Sequence, residues 1–298
     1  MEFTLGSYLL RTSQLPFRVQ PNSPNKALLI VETRPSFFLP YVVESAVRAH
    51  PGWKLYVIGT EAVHRLLESS CVNYSHCERG MLPLKSRLTV PMYSYMMLSH
   101  KLWDLVDEEH ILVFQSDCVV VRTTPTSFLQ YDYVGAACKS REGEDFVMNG
   151  GLSLRRKSAM KRAIDLMHAE HPDMLTLPED EAFTAVMRAH PDQFTLPTRE
   201  ACNQFAIESW GDPSKAIGIH GTDKYYCSVS VILKLLGEDT GEDTHPTEAT
   251  EDAEANEATE ANEDAKATED VEDAEHTDAE HKTSTQYIEH NGDLICLE

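Results

Sequence analysis

Ile111 to Cys118 reads ILVFQSDC, an apolar run that ends in polar residues with one carboxylate, Asp117, at its tip. Such a short Ile, Leu, Val and Phe run fits a strand buried on both faces of a parallel sheet, whose carboxyl end is the usual ligand edge. A carboxylate placed there can hold a divalent cation through oxygen, and the cation can in turn carry a diphosphate. Taken alone, the same Asp reads first as the cap of the following turn. Five further patches hold residues to weigh. Val31, Glu32, Thr33 and Arg34 follow another apolar run, and the Arg34 guanidinium is a fork donor suited to phosphate, or else a solvated side chain in a turn before Pro35. Asn149, Gly150 and Gly151 permit a close backbone approach, or form a tight turn before a strand. Glu179 and Asp180 follow Pro178 at the head of a helical pattern, where acids also cap the helix and favour its dipole. His220 lies between Ile219 and Gly221, and Lys85 and Arg87 are ordinary surface bases.

The elements that must position these residues read as an alternation of strands and helices. Ala27 to Glu32 (ALLIVE) and Trp53 to Ile58 (WKLYVI) fit strands. Each is followed by a helix, the first with Leu39, Val42, Val43, Ala46 and Val47 on one face, the second capped by Thr60 with Val63, Leu66 and Leu67 inward. This order predicts an α/β sheet with parallel strands. Pro91 to Val106 reads as one longer helix leading into the Asp117 strand. Tyr131 to Ala137 and Gly151 to Leu154 read as short strands, and two amphipathic helices follow, one through Met160, Ala163, Ile164 and Met167, the other from Pro178 to Met187.

The chain has 298 residues and a net charge of −22, but the acid is concentrated: Glu238 to Thr285 holds 19 Asp and Glu against two Lys, leaving −5 elsewhere. That segment repeats Glu, Asp, Ala, Thr and Asn with almost no large apolar residue, so disorder is expected for it, and such a tail reads first as solvating, or else as a loose cation binder or a tether for a basic partner. The organisation expected is an N-terminal extension (1–26), one domain (27–236), the acidic tail (237–286) and a short apolar segment (287–298) that reads first as a loose end, or else as a docking peptide or an added edge strand. Seven cysteines without a CxxC pair fit reduced thiols, and the first residues lack a secretory apolar core. No stretch approaches the ~20 apolar residues of a membrane span. A cytoplasmic location is therefore expected, and without a basic excess, nucleic-acid binding is not. His50, His64, His168, His171 and His190 show no metal spacing.

Several patches resemble one family in order and spacing: VETRP at Val31–Pro35, PGWKLYVIG at Pro51–Gly59, LWDLVDEEHILVFQSDCVV at Leu102–Val120 and YDYVGAA at Tyr131–Ala137. MNGGLSLRRKSAM at Met148–Met160, PEDEAF at Pro178–Phe183 and GIHG at Gly218–Gly221 continue the series. They resemble the DUF5672 family of glycosyltransferase-like proteins. The resemblance implies a GT-A fold, a single Rossmann-like α/β domain with a mostly parallel central sheet, and a nucleotide-sugar donor with an unknown acceptor. It further implies donor contacts from Val31, Glu32, Thr33, Arg34, Gln115, Ser116, Asp117, Asn149, Gly150 and Gly151. Asp117 matches the last acid of the Asp-X-Asp metal motif, and His220 matches the late histidine that shares the cation. Imidazole favours Mn²⁺ over Mg²⁺. Asp180 matches the base that deprotonates the acceptor in inverting members. Gln115 stands where the motif has an acid and cannot supply charge. The rival expectation is therefore a non-catalytic nucleotide-sugar-binding or scaffold protein with the same fold. A nucleotidyltransferase is disfavoured, because no glycine-rich basic loop follows the first strand.

Overall fold

The computed structural model describes residues 23–69, 81–84, 87–139, 146–208, 211–221, 286–290 and 293–297. Residues 1–22, Lys85, Cys71, Cys77, Cys227, the expected boundary near Gly237 and the acidic tail as far as Thr285 lie outside the described residues.

The first half alternates as the apolar pattern requires: β1 (Lys26–Glu32), α1 (Leu39–Ala49), β2 (Lys54–Thr60), α2 (Glu61–Ser69) and β3 (Met81–Leu84). Thr60 ends β2 and accepts a hydrogen bond from Val63 N (3.4 Å), so it also caps α2. The stretch expected as one helix is two, α3 (Val90–Met97) and α4 (His100–Asp104). Ser99 takes extended backbone angles and its hydroxyl accepts from Lys101 N (3.3 Å), starting a new helix. The indole of Trp103 then reaches back to donate to the Met97 carbonyl (2.9 Å) that the break exposes.

Next come β4 (His110–Phe114), the two-residue β5 (Val119–Val120), β6 (Tyr133–Lys139), β7 (Phe146–Arg156), α5 (Lys157–Glu170), α6 (Glu179–Ala189), α7 (Arg199–Phe205), β8 (Ala206–Ile207) and β9 (Gly218–Ile219). The large sheet is ordered β3-β2-β1-β4-β7-β6 through these elements. Its centre is parallel, β3 with β2, β2 with β1 and β1 with β4, whereas β7 is antiparallel to both β4 and β6. The fold is thus α/β with a parallel central sheet. Ile111 to Phe114 and Ala27 to Ile30 have no exposed surface, as strands covered on both faces should, each such side chain contributing about 1.5–3 kcal/mol by burial. A second sheet, β5-β9-β8, is small but places the site. The final segment is not the loose end read first from the sequence: β10 (Gln286–His290) and β11 (Asp293–Leu297) form an antiparallel hairpin, and β11 pairs with β3 at the sheet edge.

The expected turn at Asn149–Gly151 is a correction. These residues lie inside the 11-residue strand β7. A Cβ at Gly150 would come within 2.1 Å of Glu179 Oε1, and one at Gly151 within 2.1 Å of His220 Nε2. Glycine is required there because neighbouring side chains occupy the space, in otherwise ordinary extended backbone.

Candidate active site

β1 and β4 run side by side with Leu29 opposite Val113, so Glu32 and the residues after Phe114 emerge at one edge. Ser116 donates to Glu32 Oε2 (2.5 Å), while Glu32 Oε1 accepts from Thr33 N (2.8 Å), Arg34 N (2.7 Å) and Arg34 Nε (3.2 Å). Burial opposes ionisation of Glu32, but the Arg34 and Ser116 hydrogen bonds outweigh it and hold the carboxyl below its ordinary range. Thr33 is engaged with Leu88 N (3.0 Å) and the Thr60 hydroxyl (3.2 Å). Val31 belongs to the core. Arg34 keeps 61% of its side-chain surface and is an exposed cation of this edge, and Arg87, next to the Leu88 that bonds Thr33, is exposed as well.

The small sheet gathers three more groups. Ile207 and Val119 both pair with Ile219, so Glu208 after β8, His220 after β9 and Asp117 before β5 stand at the same end. His220 Nε2 lies 3.5 Å from Asp117 Oδ1 and 3.2 Å from Gln115 Oε1. On the other side of the ring, Nδ1 lies 3.4 Å from Glu208 Oε1. Burial would lower the His220 pKa, but the Glu208 and Asp117 carboxylates prevail and raise it. Asn149 Nδ2 donates to Glu208 Oε1 (3.0 Å), and Gly151 N donates to Asn149 Oδ1 (2.7 Å).

Asp117 Oδ1 is buried and accepts no hydrogen bond among the described residues. Two oxygens and an imidazole nitrogen about this point have the chemistry of a hard-to-borderline cation site. Their separations are near the roughly 3 Å between adjacent ligands of a cation with bonds of about 2.1 Å. Asp117, Gln115 and His220 therefore fit a divalent cation. Cys118 is close to Asp117 and His220, but burial and the Asp117 charge push its thiol well above the ordinary range. Its Sγ donates to the Gly151 carbonyl (3.0 Å), a structural role. A second group of possible ligands, Glu170, His171 and His190, meets at the ends of α5 and α6, which sequence spacing hides because two helices supply it.

Asp180 reaches the edge from α6. Glu179 beside it is no cap: it forms a two-pronged ion pair with fully buried Arg155 (2.7 and 3.0 Å), whose guanidinium lies 4.8 Å from the Tyr133 ring centre. Asp180 Oδ2 accepts from Gly150 N (3.3 Å) and Oδ1 from Glu181 N (2.9 Å). Burial first and the Glu179 charge second push Asp180 up to about 7, against the opposing pull of Arg155 and these hydrogen bonds. A carboxyl that ionises near neutrality is suited to proton transfer.

The edge thus brings together Glu32, Arg34, Gln115, Ser116, Asp117, Asn149, Gly150, Gly151, Asp180 and His220, and adds Glu208. Sequence reasoning missed Glu208, which follows a strand of two residues. Residues 82–220 match a known family. Its description is "Protein of unknown function (DUF5672)". The match takes in Gln115 through His220 and leaves Val31 to Arg34 outside. No curated protein matches the chain. Among solved structures, the chain is similar to the glycosyltransferase GlyE of Streptococcus pneumoniae TIGR4 in its apo form, at 15% identity and a TM-score of 0.36, covering 59% of this chain and 46% of that one. A second GlyE structure gives the same identity and score, and "PaToxG Glycosyltransferase" gives 11% identity and a TM-score of 0.32 over 56% of this chain and 70% of that one. The chain spans just under half the length of GlyE.

Proposed function

We propose that the chain is a divalent-cation-dependent glycosyltransferase that moves a sugar from a nucleotide-sugar donor to an acceptor hydroxyl. The observation that carries this reading is the meeting, at one strand-end edge, of a cation-type donor set, Asp117 and His220, with Asp180, a carboxyl poised near neutral pH. Asp117, His220 and Gln115 would hold Mn²⁺ or Mg²⁺. When bound, the cation supplies positive charge against the departing diphosphate. Glu32, kept ionised by Arg34 and Ser116, accepts from ribose hydroxyls, and exposed Arg34 reaches the phosphates. Asp180 takes the acceptor proton, held toward the edge by Gly150 N.

A panel of nucleotide sugars tested by thermal shift, with Mn²⁺ and with chelator, examines the reading directly. One donor should stabilise the protein only with Mn²⁺, Asp117→Ala should lose that response, and nucleoside diphosphate should then be released with a suitable acceptor. No response to any donor overturns the proposal. Gln115, an amide in the place of an acid, favours one second reading, a protein that binds the donor without turnover; Mn²⁺-dependent stabilisation without diphosphate release would establish it.

A further inference from the structure

We propose that Glu170, His171 and His190 form a second metal site, of the zinc class, that clasps the end of α5 to the end of α6. It shares no residue with the strand-end edge and does not rest on the reading given there. One ligand atom from each of the three residues lies within 4.8 Å of the other two, and His190 Nε2 is 3.8 Å from Glu170 Oε2. The two imidazole rings meet edge to face with their centres 5.7 Å apart. His190 Nε2 is buried and has no hydrogen-bond partner among the described residues, and the Glu170 carboxylate is too distant to serve as one. A metal ion between them would satisfy both groups.

Three helices of the chain end in the same way, which separates a structural histidine from a ligand. α1, α5 and α6 each stop at a histidine followed by proline, His50 before Pro51, His171 before Pro172 and His190 before Pro191, with closely similar backbone angles at the three histidines. His50 commits both ring nitrogens to its own surroundings: Nδ1 lies 3.1 Å from the Ala46 carbonyl oxygen and Nε2 2.8 Å from the Thr124 hydroxyl. His171 and His190 instead meet each other and Glu170. Glu170 is the last residue of α5, where the helix dipole disfavours a carboxylate. A cation there would be favoured by Glu170 and by the carbonyl ends of two helices at once. Two imidazoles and one carboxylate are a donor set for Zn²⁺, with the fourth tetrahedral position left to water. Bonds of about 2.0–2.1 Å set tetrahedral ligand atoms roughly 3.4 Å apart, so closing on the ion takes a movement of roughly 1 Å. The Glu170 side chain, 52% exposed, is free to make it. Zinc so held would fasten the far end of the helix whose head carries Glu179 and Asp180, stabilising the folded chain.

The test is a Zn²⁺ titration of the whole 298-residue chain with its thiols reduced, followed through the ring signals of individual histidines by NMR. The His171 and His190 rings should shift together with one midpoint, while the His50 ring, engaged at both nitrogens, should not respond. Because the signals are read residue by residue, zinc held at Asp117 and His220 or by cysteines is not mistaken for this site. His190→Asn should abolish the zinc response of His171, and Glu170→Gln should shift its midpoint to higher zinc concentration. Two rings that shift with separate midpoints, or that do not shift, overturn the proposal, as does a His171 response that survives His190→Asn. An unchanged midpoint in Glu170→Gln overturns the three-ligand site. The wild-type titration decides even if a variant fails to fold.

Discussion

Asp180 offers the sharpest quantitative consequence, because a carboxyl that ionises late in the folded protein makes folding less favourable as pH rises. The folded value of about 7 lies roughly 3 units above the ordinary 3.8, which corresponds to about 4 kcal/mol at most. The side chain is half-buried, and its solvent access trims that figure. The sign follows from which state binds the proton more tightly. Below about pH 4 the carboxyl is protonated in both states and imposes no penalty. Between about 4 and 7 only the folded state holds the proton, so the penalty grows, and above about 7 it is complete. Asp180→Asn removes the titration and keeps the shape. Urea unfolding of both proteins from pH 5 to pH 8 should therefore show the variant gaining about 2–3 kcal/mol relative to wild type across that range. Other carboxylates titrate equally in both proteins and cancel in the difference. Transfer by wild type should rise through about pH 7 and level off, while Asp180→Asn retains donor binding but not transfer. Parallel stability profiles would refute the reasoning, for they would mean that Asp180 ionises like any surface carboxylate.

Two other substitutions examine the neighbouring groups. Arg155→Met leaves Glu179 buried beside Gly150 without its partner and should cost about 3–5 kcal/mol in urea unfolding, whereas Arg155→Met with Glu179→Leu should recover most of that loss. Gln115→Asp places a carboxylate beside His220 Nε2 and should tighten Mn²⁺ binding by about tenfold in a titration followed by electron paramagnetic resonance, since added ligand charge raises cation affinity.

The parallel core was legible because strands buried on both faces carry an unmistakable apolar run: ALLIVE and ILVF appear as β1 and β4 with boundaries shifted by a residue or so. Of antiparallel β7, Gly151 to Leu154 was legible as a short strand, but its first half was not. Asn-Gly-Gly reads locally as a turn, and what overrides that reading is the demand for space by Glu179 and His220, which lie 28 and 69 residues beyond Gly151 in the chain. The break between α3 and α4 carried a readable signal in Ser99, a common capping residue, hidden by the continuous apolar face from Met92 to Trp103. Within the site, Asp117 could be read from its strand. His220 entered only through family resemblance, and Glu208 not at all, because β8 and β9 are two residues each, too short for any periodicity.

Charge at the edge ties these residues into one argument about the order of binding. Asp117, Glu208, Glu32 and, above about pH 7, Asp180 carry negative charge there. Arg155 is committed to Glu179, Arg34 is shared with Glu32, and His220 lies between Asp117 and Glu208. A diphosphate approaching this edge alone meets these carboxylates, each like-charge pair near 4 Å opposing it by about 4 kcal/mol at an effective dielectric of 20, with exposed Arg34 in its favour. On the proposed reading, a cation at Asp117 and His220 reverses the balance by replacing repulsion with attraction at the point nearest the phosphates. On that reading, cation binding precedes donor binding. Linkage then requires that the donor tighten the cation by the same factor as the cation tightens the donor, so the coupling can be measured from either side.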